Sequence, residues 1–359
     1  MTQERTLPKV LFIARNYPPI IGGLENNAYN FYQHMSAITE THLLANPQGK
    51  SRLVQFFIET FFYLIFHSSR FDIIHFNDAV MAPFIPVIRL FSRAKITFII
   101  NGLDIVYHHP LYQLIIPFFL KRADLLFPVS FNTKRECEKR GINPQRLQHI
   151  PNGINLKDLP ITEPQGAQEF LTKHSINSRH KKILVSVGRL VERKGNAWFL
   201  QEVFPLLPQD YIYIIAGNGP QRQRILDIIE QRGWSDRVYL VGWITEDEKL
   251  AMFRCADLFI MPNISIKNDL EGFGIVILEA GYTNLPVVAT DVDGIPSAVI
   301  PGATGILVPE GDARSFADAI LNIHLDREKI SSVVDECYNW TKIADQYLQA
   351  FVRLAQTTN

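Results

Sequence analysis

Short apolar runs alternate with helix-like patterns along the whole chain, and this alternation constrains the fold more than any other feature. In the first half the runs are KVLFIA, THLLA, FDIIHF, KITFII, LLFPVS and LQHIP; in the second half they are KILVSVG, YIYIIAG, RVYLVGW, LFIMP, PVVAT and GILVP. Strands that alternate with helices form strand-helix-strand units, whose strands run parallel. The sequence therefore predicts an α/β protein with parallel sheets.

The length of 359 residues predicts two domains, because a chain of this size is too long for one ordinary core. Between residues 155 and 181 the periodicity fades into a stretch rich in Pro, Gln, Ser and charge. We therefore predict one domain over 1–156 and a second over 157–339. In the closing segment, 340–359, apolar residues recur at helical spacing, which predicts a terminal helix that covers apolar surface.

Charge is balanced overall but not along the chain. Residues 1–156 hold 16 Lys and Arg against 10 Asp and Glu, whereas the remainder holds 20 against 26. A basic half can attract phosphates or an anionic membrane, although solvated surface charge is the commoner reason for such an excess. The three cysteines are widely spaced and the first residues do not have the order of a signal peptide, which favours a reducing, cytoplasmic setting.

The stretch LVQFFIETFFYLIF, residues 53–66, is the most apolar part of the chain. Fourteen residues are too few to span a bilayer as a helix. Two interpretations remain open: a buried amphipathic helix, or a helix that also touches a membrane interface as a peripheral anchor.

The run EGFGIVILEA carries two carboxylates, Glu271 and Glu279, at the ends of a glycine-containing apolar segment. Gly272, Phe273 and Gly274 precede a predicted helix, where backbone N–H groups can bind phosphate at the positive end of the helix dipole. If most of this run is helical, the carboxylates lie roughly 12 Å apart, a separation that suits two hydroxyl-bearing groups that flank a diphosphate. Solvated or capping acids are the alternative.

Other loops that follow predicted strands have similar chemistry. Arg189 and Lys194 flank the turn in GRLVERKG and could neutralise a diphosphate. Gly219 lies in a second strand-to-helix turn, AGNGP, and Gly22 and Gly23 precede the first predicted helix. The carboxyl ends of parallel strands form the ligand crevice of open sheets, so we expect the loops of each sheet to converge. Surface charge and structural turns are the simpler alternatives.

Two patterns suggest metal binding, but only weakly. DVD, residues 291–293, has the form of an acidic metal motif but follows a predicted strand in a turn. His108 and His109 have no acidic or cysteine partner at ligand spacing. We therefore predict no metal site.

Taken in order, the motifs GGLE, DIIHFND, NGLDI, PNGIN, GRLVERKG, AGNGP, VGW, ADLFIMPN, EGFGIVILEA, PVVATDVDGIP and GILVP resemble family-four retaining glycosyltransferases of the GT-B fold. The resemblance covers nearly the whole chain. It implies an α/β protein of two Rossmann-like domains with parallel sheets facing an interdomain cleft. It also implies that the terminal helix, residues 340–359, returns to the first domain.

The resemblance assigns roles to residues of this sequence. It implies that Arg189 and Lys194 bind the diphosphate, that Glu279 binds the ribose, and that Glu271 lies near the transferred sugar. The turn at 272–274 would contact sugar and phosphates through its amides. The remaining donor-binding residues would be Gly22, Gly23 and Gly219. Neither a metal nor a cofactor would be required.

The sequence departs from the family pattern at several places. Asn101 in NGLDI stands where the family commonly has a histidine, and an amide cannot share a proton at neutral pH. Asn155, Asp293 and Ser297 also differ from common family residues. We include Asn101 among the catalytic candidates, with slower or altered chemistry as an expectation.

The leading hypothesis is a hexosyltransferase that moves a sugar from a nucleoside diphosphate to a lipid-linked or oligosaccharide acceptor, in surface polysaccharide or glycolipid synthesis. The expected partners are the nucleotide-sugar donor, the glycan or glycolipid acceptor and an anionic membrane surface, with no nucleic acid. Two alternatives stay open: a nucleotide-sugar epimerase or hydrolase on the same fold, and a nucleotide-sugar-binding subunit that has lost turnover.

Overall fold

The structure is a computed structural model that describes residues 7–20, 22–155 and 164–356. Its described part contains eleven strands, which are β1 Val10–Ala14, β2 Thr41–Ala45, β3 Ile73–Phe76, β4 Lys95–Ile100, β5 Leu125–Pro128, β6 Lys182–Val187, β7 Tyr211–Ala216, β8 Val238–Gly242, β9 Leu258–Met261, β10 Val287–Thr290 and β11 Gly305–Val308. All strand pairs are parallel. The predicted α/β class with parallel sheets is confirmed.

The helices lie between and after these strands. They are α1 Gly23–Ile38, α2 Leu53–His67, α3 Ile85–Phe91, α4 Leu103–Val106, α5 Pro110–Leu120, α6 Phe131–Lys139, α7 Pro164–Lys173, α8 Asn196–Trp198, α9 Arg222–Arg232, α10 Glu246–Cys255, α11 Ile275–Tyr282, α12 Ala313–Asn322, α13 Arg327–Tyr338 and α14 Trp340–Gln356. Short 3-10 turns include Ala79–Phe84 and Glu192–Lys194, and a π-helical turn spans Phe199–Val203.

The chain divides into two compact units. Unit 1 comprises residues 1–153 together with 338–359, and unit 2 comprises 154–337. The boundary predicted between residues 156 and 157 lies outside the described residues. The predicted terminal helix is α14, and it belongs to unit 1, where it packs against α1.

The sheet of unit 1 has the strand order β2-β1-β3-β4-β5. The connection from β1 to β2 runs in one direction along the sheet, and the later connections run in the other direction. Crossovers between parallel strands are right-handed, so α1 lies on one face of the sheet and α2, α3 and α5 lie on the other. We call the layer formed by α2, α3, α4 and α5, with the connections between them, the outer layer of unit 1.

On the α1 face, the terminal helix covers the sheet with aromatic side chains. Tyr347 packs edge-on against Phe31 and Phe127, with ring centroids 5.0 and 4.8 Å apart. His75 of β3 lies among these rings, fully buried, and its Nδ1 is 2.8 Å from the hydroxyl of Thr97. Burial lowers the pKa of His75 to about 3, so the imidazole is neutral at physiological pH.

The sheet of unit 2 has the order β11-β10-β9-β6-β7-β8. Its four inner strands, β10, β9, β6 and β7, are buried on both faces, which explains their nearly continuous apolar sequences. One aromatic cluster in the core joins Phe199, Phe204 and Tyr213, and Phe316 of α12 packs on Phe199 at 5.6 Å. This core holds the ends of β6, β7 and β9 in register.

Most predicted elements are present, with one exception. LQHIP, residues 147–151, forms a single bridge, Leu147 to Leu126, rather than a strand. The segment does donate ladder-like hydrogen bonds to β5, from Gln148 N to Leu126 O and from Ile150 N to Pro128 O. Its proline and polar residues keep it short at the edge of the sheet. A capping box of Thr245 and Glu248 stands at the start of α10.

Candidate functional site

The strand order of unit 2 marks one place on its sheet. From β6 the chain first adds β7 and β8 on one side and then β9, β10 and β11 on the other, so the direction reverses between β6 and β9. Ligands of open parallel sheets bind outside the carboxyl ends of the strands at such a switch point. The loops that follow β6 and β9 are therefore the starting point for a candidate site.

These two loops pack against each other without a gap. Gly195, at the end of the β6 loop, has a φ of +66°, and a Cβ on this residue would lie 1.8 Å from the carbonyl oxygen of Pro262. Only glycine fits there, because both the conformation and the contact exclude a side chain. Next to it, Asn196 accepts a hydrogen bond of 2.9 Å from the Tyr213 hydroxyl, which holds the loop from below.

The loop after β7 joins the same edge. Leu190 donates its N–H to the Asn218 carbonyl oxygen at 3.0 Å, and Gln221 donates back to Leu190 at 2.9 Å. Gly219 allows this approach, because a Cβ there would lie 2.4 Å from Leu190 O. The loops of GRLVERKG and AGNGP therefore converge as predicted. The close approach gives Gly219 a structural role, while its contact with a donor stays a prediction.

Glu271 is the centre of a charged cluster at this switch point. One carboxylate oxygen, Oε2, lies 2.7 Å from Lys194 Nζ and 3.6 Å from an Arg193 guanidinium nitrogen. The same oxygen accepts a hydrogen bond of 3.3 Å from Asn263 Nδ2. Burial raises the pKa of Glu271, but Lys194 and Arg193 outweigh burial, so the pKa is below its ordinary value. The carboxylate is therefore ionised and held in place.

The glycine turn after Glu271 is anchored by the loop that follows β10. Asp293 accepts a hydrogen bond of 3.0 Å from the Glu271 N–H, and Gly294 donates to the Glu271 carbonyl at 2.9 Å. A Cβ on Gly294 would lie 2.0 Å from Gly272 O, so this approach also requires glycine. Burial first, and then the Glu271 charge, raise the pKa of Asp293 to about 6. Asp293 is thus a clamp on the turn, a role that its acidic motif did not suggest.

The helix predicted after this turn is present, but it does not include Glu271 and so does not join the two carboxylates. α11 begins at Ile275, and Gly274 is its N-cap with a φ of 87°. Glu271 and Gly272 are therefore not helical, and the 12 Å spacing expected for a helical run does not apply. Phe273 is 3% exposed, so its side chain belongs to the core and is not accessible to a ligand. Gly274 is in the left-handed conformation, which a right-handed helix cannot contain, so the helix cannot extend back to Glu271.

Glu279 lies on α11 and has a partner that sequence reasoning missed. Lys249 of α10 places its Nζ 2.8 Å from Glu279 Oε2 and 2.7 Å from Glu246 Oε2. Burial lowers the pKa of Lys249, but the two carboxylates outweigh burial and raise it above its ordinary value. Lys249 is thus a charged anchor that orients Glu279. No local pattern indicates this pair, because its members lie 30 residues apart.

Arg189 differs from the other predicted cations. Its side chain is exposed, and no ion pair involves it among residues 7–20, 22–155 and 164–356. Arg193, which the sequence did not single out, instead joins the cluster and also lies 3.4 Å from Asp269. Two cations are therefore engaged on Glu271, and the third cation of the same loop, Arg189, is exposed.

In unit 1 the chain first adds β2 on one side of β1 and then β3, β4 and β5 on the other side. The strand order therefore reverses between β1 and β3. Arg15, after β1, lies 2.6 Å from Asp78, after β3, and Asp78 is 1% exposed. Burial raises the pKa of Asp78 despite the attraction of Arg15. Burial also raises the pKa of Asp104 to about 6, with a further contribution from Asp78. This edge therefore carries one cation near two carboxyl groups, of which Asp78 is fully buried.

Asn101 lies at the same edge and is already engaged. It donates through Nδ2 to the Asn77 carbonyl at 2.8 Å, and its N–H donates to Asp104 at 2.9 Å. Asp104 also accepts from the Ala79 N–H at 3.1 Å, so it joins the loops after β3 and β4. The amide oxygen of Asn101 can accept a hydrogen bond from a ligand hydroxyl.

Gly22 and Gly23 begin α1 as predicted, with Gly22 at the N-cap and Gly23 as the first helical residue. A Cβ on Gly22 would lie 2.3 Å from a carboxylate oxygen of Glu25. The Glu25 carboxylate thus already lies near the positive end of the helix dipole. A bound anion would therefore be stabilised less here than at a helix N-terminus without an acidic residue. A neutral ligand group therefore suits this turn better than a phosphate.

A groove of about 600 Å³ in unit 1 lies elsewhere. It is lined by Asp72, which precedes β3, by Lys95, which begins β4, and by Ala355 of α14. These residues lie at the amino ends of the strands, so the groove is separate from the candidate site. Among the described residues no cluster of three or more His, Cys, Asp or Glu is placed to hold a metal ion.

Comparisons with known proteins agree with this architecture. The family described as "Glycosyl transferases group 1" matches residues 168–340, and "Glycosyltransferase Family 4" matches residues 10–158. The putative colanic acid biosynthesis glycosyltransferase WcaL of Salmonella typhimurium is 28% identical over 72% of this chain and 62% of its own length. The aligned part of this chain thus spans about three fifths of that relative.

Two further proteins match nearly the whole chain. The GPI3 subunit of phosphatidylinositol N-acetylglucosaminyltransferase from Saccharomyces cerevisiae is 24% identical over 95% of this chain and 82% of its own length. Among solved structures, Anabaena Alr3699/HepE in complex with UDP superposes with a TM-score of 0.77, at 16% identity, over 96% of this chain and all of that one. Its complex with UDP-glucose gives a TM-score of 0.74, over 96% of this chain and all of that one, at 17% identity. The sequence and the fold together show that this chain belongs to the group 1 glycosyltransferases of the GT-B fold.

Proposed function

We propose that the protein is a retaining hexosyltransferase that moves a sugar from a nucleoside diphosphate to a lipid-linked or oligosaccharide acceptor. One observation carries the proposal: the Lys194–Glu271 pair lies at the switch point of the unit 2 sheet, beside the glycine turn that begins α11. A glycine turn at a helix N-terminus suits a phosphate group. A lysine beside it supplies the positive charge that a diphosphate needs.

The cations of this loop support an anionic ligand. Lys194 and Arg193 contact Glu271, and Arg193 also lies 3.4 Å from Asp269. The exposed side chain of Arg189 has no ion-pair partner among the residues that the structure describes, so its charge is available to a ligand. Fixed positive charge where a departing nucleoside diphosphate develops negative charge stabilises a transition state.

The reaction that fits these groups forms one bond and breaks one bond at the anomeric carbon. An acceptor hydroxyl attacks on the face from which the diphosphate leaves, and a phosphate oxygen takes the hydroxyl proton. We propose that Arg189 and Lys194 neutralise the leaving group, and that Glu271 orients the sugar. Because the cations are supplied by side chains, we expect transfer to continue in the presence of a chelator.

Binding of the nucleoside is assigned to α11. Glu279, held by Lys249, keeps its second carboxylate oxygen for the ribose hydroxyls. We further propose that Gly22 and Gly23 contact the donor sugar through their backbone and that Asn101 accepts a hydrogen bond from one of its hydroxyls. The names of the relatives support this donor class, since Alr3699/HepE binds UDP and UDP-glucose and the yeast relative transfers N-acetylglucosamine to a phosphatidylinositol lipid.

The test begins with thermal unfolding in the presence of UDP-, GDP-, ADP- and dTDP-sugars. We expect one nucleotide class to raise the unfolding temperature, because a ligand that binds only the folded state stabilises it. The identified donor, labelled in its sugar, is then incubated with lipid and oligosaccharide acceptors. Label should move to an acceptor, and NMR of the product should show the anomeric configuration of the donor.

The alternatives give different results in the same experiment. Consumption of the donor without any acceptor would indicate a hydrolase or an epimerase. A thermal shift without consumption would indicate a binding subunit. If none of the four donors changes the unfolding temperature of the wild-type protein, the donor assignment is wrong.

A further inference from the structure

The outer layer of unit 1 exposes an unusual amount of apolar surface. Twelve of the eighteen large apolar side chains that are exposed in the described part of the chain lie in this layer: Val54, Ile58, Phe61, Phe62, Phe66, Leu90, Phe91, Leu103, Tyr107, Leu111, Leu114 and Phe118. Unit 2 exposes three, Leu206, Trp243 and Leu321. Scattered apolar residues are normal on a protein surface, but a concentration on one layer indicates an interaction surface.

Helix α2 shows that these residues form a face. Phe56, Thr60 and Leu64 are buried at a spacing of four residues, which defines the inward side. Val54 is 75% exposed and Ile58 is 54% exposed, on the opposite side of the helix. The helix is thus apolar on both sides, unlike an ordinary surface helix, whose outward side is polar.

Neighbouring helices continue the same surface. On α5, Leu111, Leu114 and Phe118 are exposed at helical spacing, and Leu114 is 72% exposed. α2 packs against α3, and α5 packs against the 3-10 turn Ala79–Phe84, which leads directly into α3. The apolar face therefore extends across consecutive elements of the outer layer.

Exposed cations border this face along one edge. Each of α2, α3 and α5 is followed by an exposed basic residue, which is Arg70, Arg93 or Lys121 respectively. None of these three has an ion-pair partner among the residues that the structure describes. Because helices between parallel strands run opposite to the strands, the three cations lie at the same edge of the layer. Their charge adds to the excess of Lys and Arg in residues 1–156.

We propose that the outer layer of unit 1 docks on an anionic lipid surface, with the apolar side chains inserted at the interface and the cations against the head groups. An amphipathic surface of this kind binds through buried apolar area together with attraction to anionic lipids. A second copy of this chain is a poorer occupant, because an identical face carries the same unpaired cations rather than negative charge that would complement them. The described helices include none that is long and apolar enough to cross a bilayer.

Docking in this way would bring the acceptor side of the protein to the membrane. Leu103 and Tyr107, which are 45% and 52% exposed, lie between Asn101 and α5. The apolar face therefore reaches the carboxyl edge of the unit 1 sheet, where Asn101 lies. A lipid-linked acceptor could remain anchored while its sugar meets that edge. The docking proposal itself does not depend on the proposed transferase activity.

The first test is co-sedimentation of the full chain with vesicles of phosphatidylcholine that contain about a third phosphatidylglycerol. The double variant Phe62→Gln with Leu114→Gln should bind at least about tenfold more weakly than the wild type, since two insertion sites are lost. The matched control is Leu206→Gln with Leu321→Gln, which removes two exposed apolar side chains of unit 2. The control should bind as the wild type does.

A second pair of variants tests the cations. Arg70→Gln with Arg93→Gln should weaken binding by roughly fivefold for each charge and reduce its dependence on salt. Arg135→Gln, an exposed cation on α6 away from the row, should have little effect. Vesicles of phosphatidylcholine alone should bind much less protein than the anionic vesicles.

A third measurement reports insertion even if the glutamine variants fold poorly. In Ile58→Trp, brominated lipids should quench the added fluorescence, beyond any quenching of the wild type. Equal quenching of Ile58→Trp and the wild type would overturn the proposal. Equal vesicle binding by Phe62→Gln with Leu114→Gln and by its control, Leu206→Gln with Leu321→Gln, would also overturn it. Sedimentation velocity distinguishes self-association. If the wild type is a dimer that does not bind vesicles, and Phe62→Gln with Leu114→Gln is a monomer, the face is a self-association surface instead.

Discussion

The two units each have a parallel sheet in which the strand order reverses once, yet the side chains at the two switch points pair their charges differently. In unit 2, Lys194 and Arg193 both contact the carboxylate of Glu271. In unit 1, Arg15 contacts Asp78, and the Asp78 charge also acts on Asp104. The same topology thus places two cations on one carboxylate in one unit and one cation near two carboxyl groups in the other. The fold supplies the edge, and a few side chains decide which chemistry the edge suits.

The largest effect should come from removing the cation at the unit 2 edge. Lys194→Met is expected to lower the rate of sugar transfer at least about a hundredfold, because a fixed charge at the leaving group is lost in the transition state. Steady-state kinetics with the identified donor measure the change. Lys182→Met is the matched control. Lys182 begins β6, whose other end leads into the loop that holds Lys194, and its Nζ lies 3.5 Å from Asp257 Oδ1. If Lys194→Met and Lys182→Met have similar kinetics, the Lys194 charge has no special role in sugar transfer.

The next effect concerns stability at the unit 1 edge. Arg15→Met leaves Asp78 buried without its counter-charge, which should lower the free energy of unfolding by about 3 kcal/mol. Urea denaturation monitored by circular dichroism gives this value. In the control, Arg89→Met, the partner Asp124 is 21% exposed, so the loss should be below about 1 kcal/mol. Equal losses would show that the Arg15–Asp78 pair is not an anchor of the edge.

The smallest effect is expected at the Asp293 clamp and depends on pH. Burial raises the folded pKa of Asp293 to about 6, above its ordinary value, so its contribution to stability is lost as pH rises from about 4 to 6. Asp293→Asn keeps an acceptor for the Glu271 N–H and removes the charge. The variant should be more stable than the wild type by about 1 kcal/mol at pH 8, and the difference should vanish near pH 4.

Thermal unfolding at the two pH values measures this difference. The positive φ of residue 293, 55°, is a conformation that Asn tolerates well, so the substitution adds no backbone strain. A loss of stability at pH 8 would mean that the negative charge of Asp293 stabilises the turn, contrary to its raised pKa.

Several parts of the site could be predicted because their signals are local. Gly272 and Gly274 stand immediately before an apolar helical run, and α11 begins directly after them. The turns that hold Arg189, Lys194 and Gly219 follow apolar runs that become β6 and β7. Strand ends and glycine turns leave a mark in the neighbouring sequence, so the convergence of these loops follows from the parallel sheet.

Other parts of the site could not be predicted because they depend on pairs of distant residues. Lys249 of α10 and Glu279 of α11 meet only in the folded chain, and Asp293 reaches Glu271 from the loop after β10. Asn263 follows β9, and only the fold brings its amide to Glu271. Asn263 and Asp293 lie in the motifs ADLFIMPN and DVD, but neither motif indicates the partner that the residue meets in the fold.

The sequence by itself determined the class of the fold, because the alternation of strand and helix patterns is a property of neighbouring residues. It also marked the glycines at which strands turn into helices. Only the tertiary structure decided which charges neutralise one another and which side of α2 remains exposed. Ionisation and burial depend on distances between side chains that are far apart in the chain, and those distances exist only once the sheets have formed.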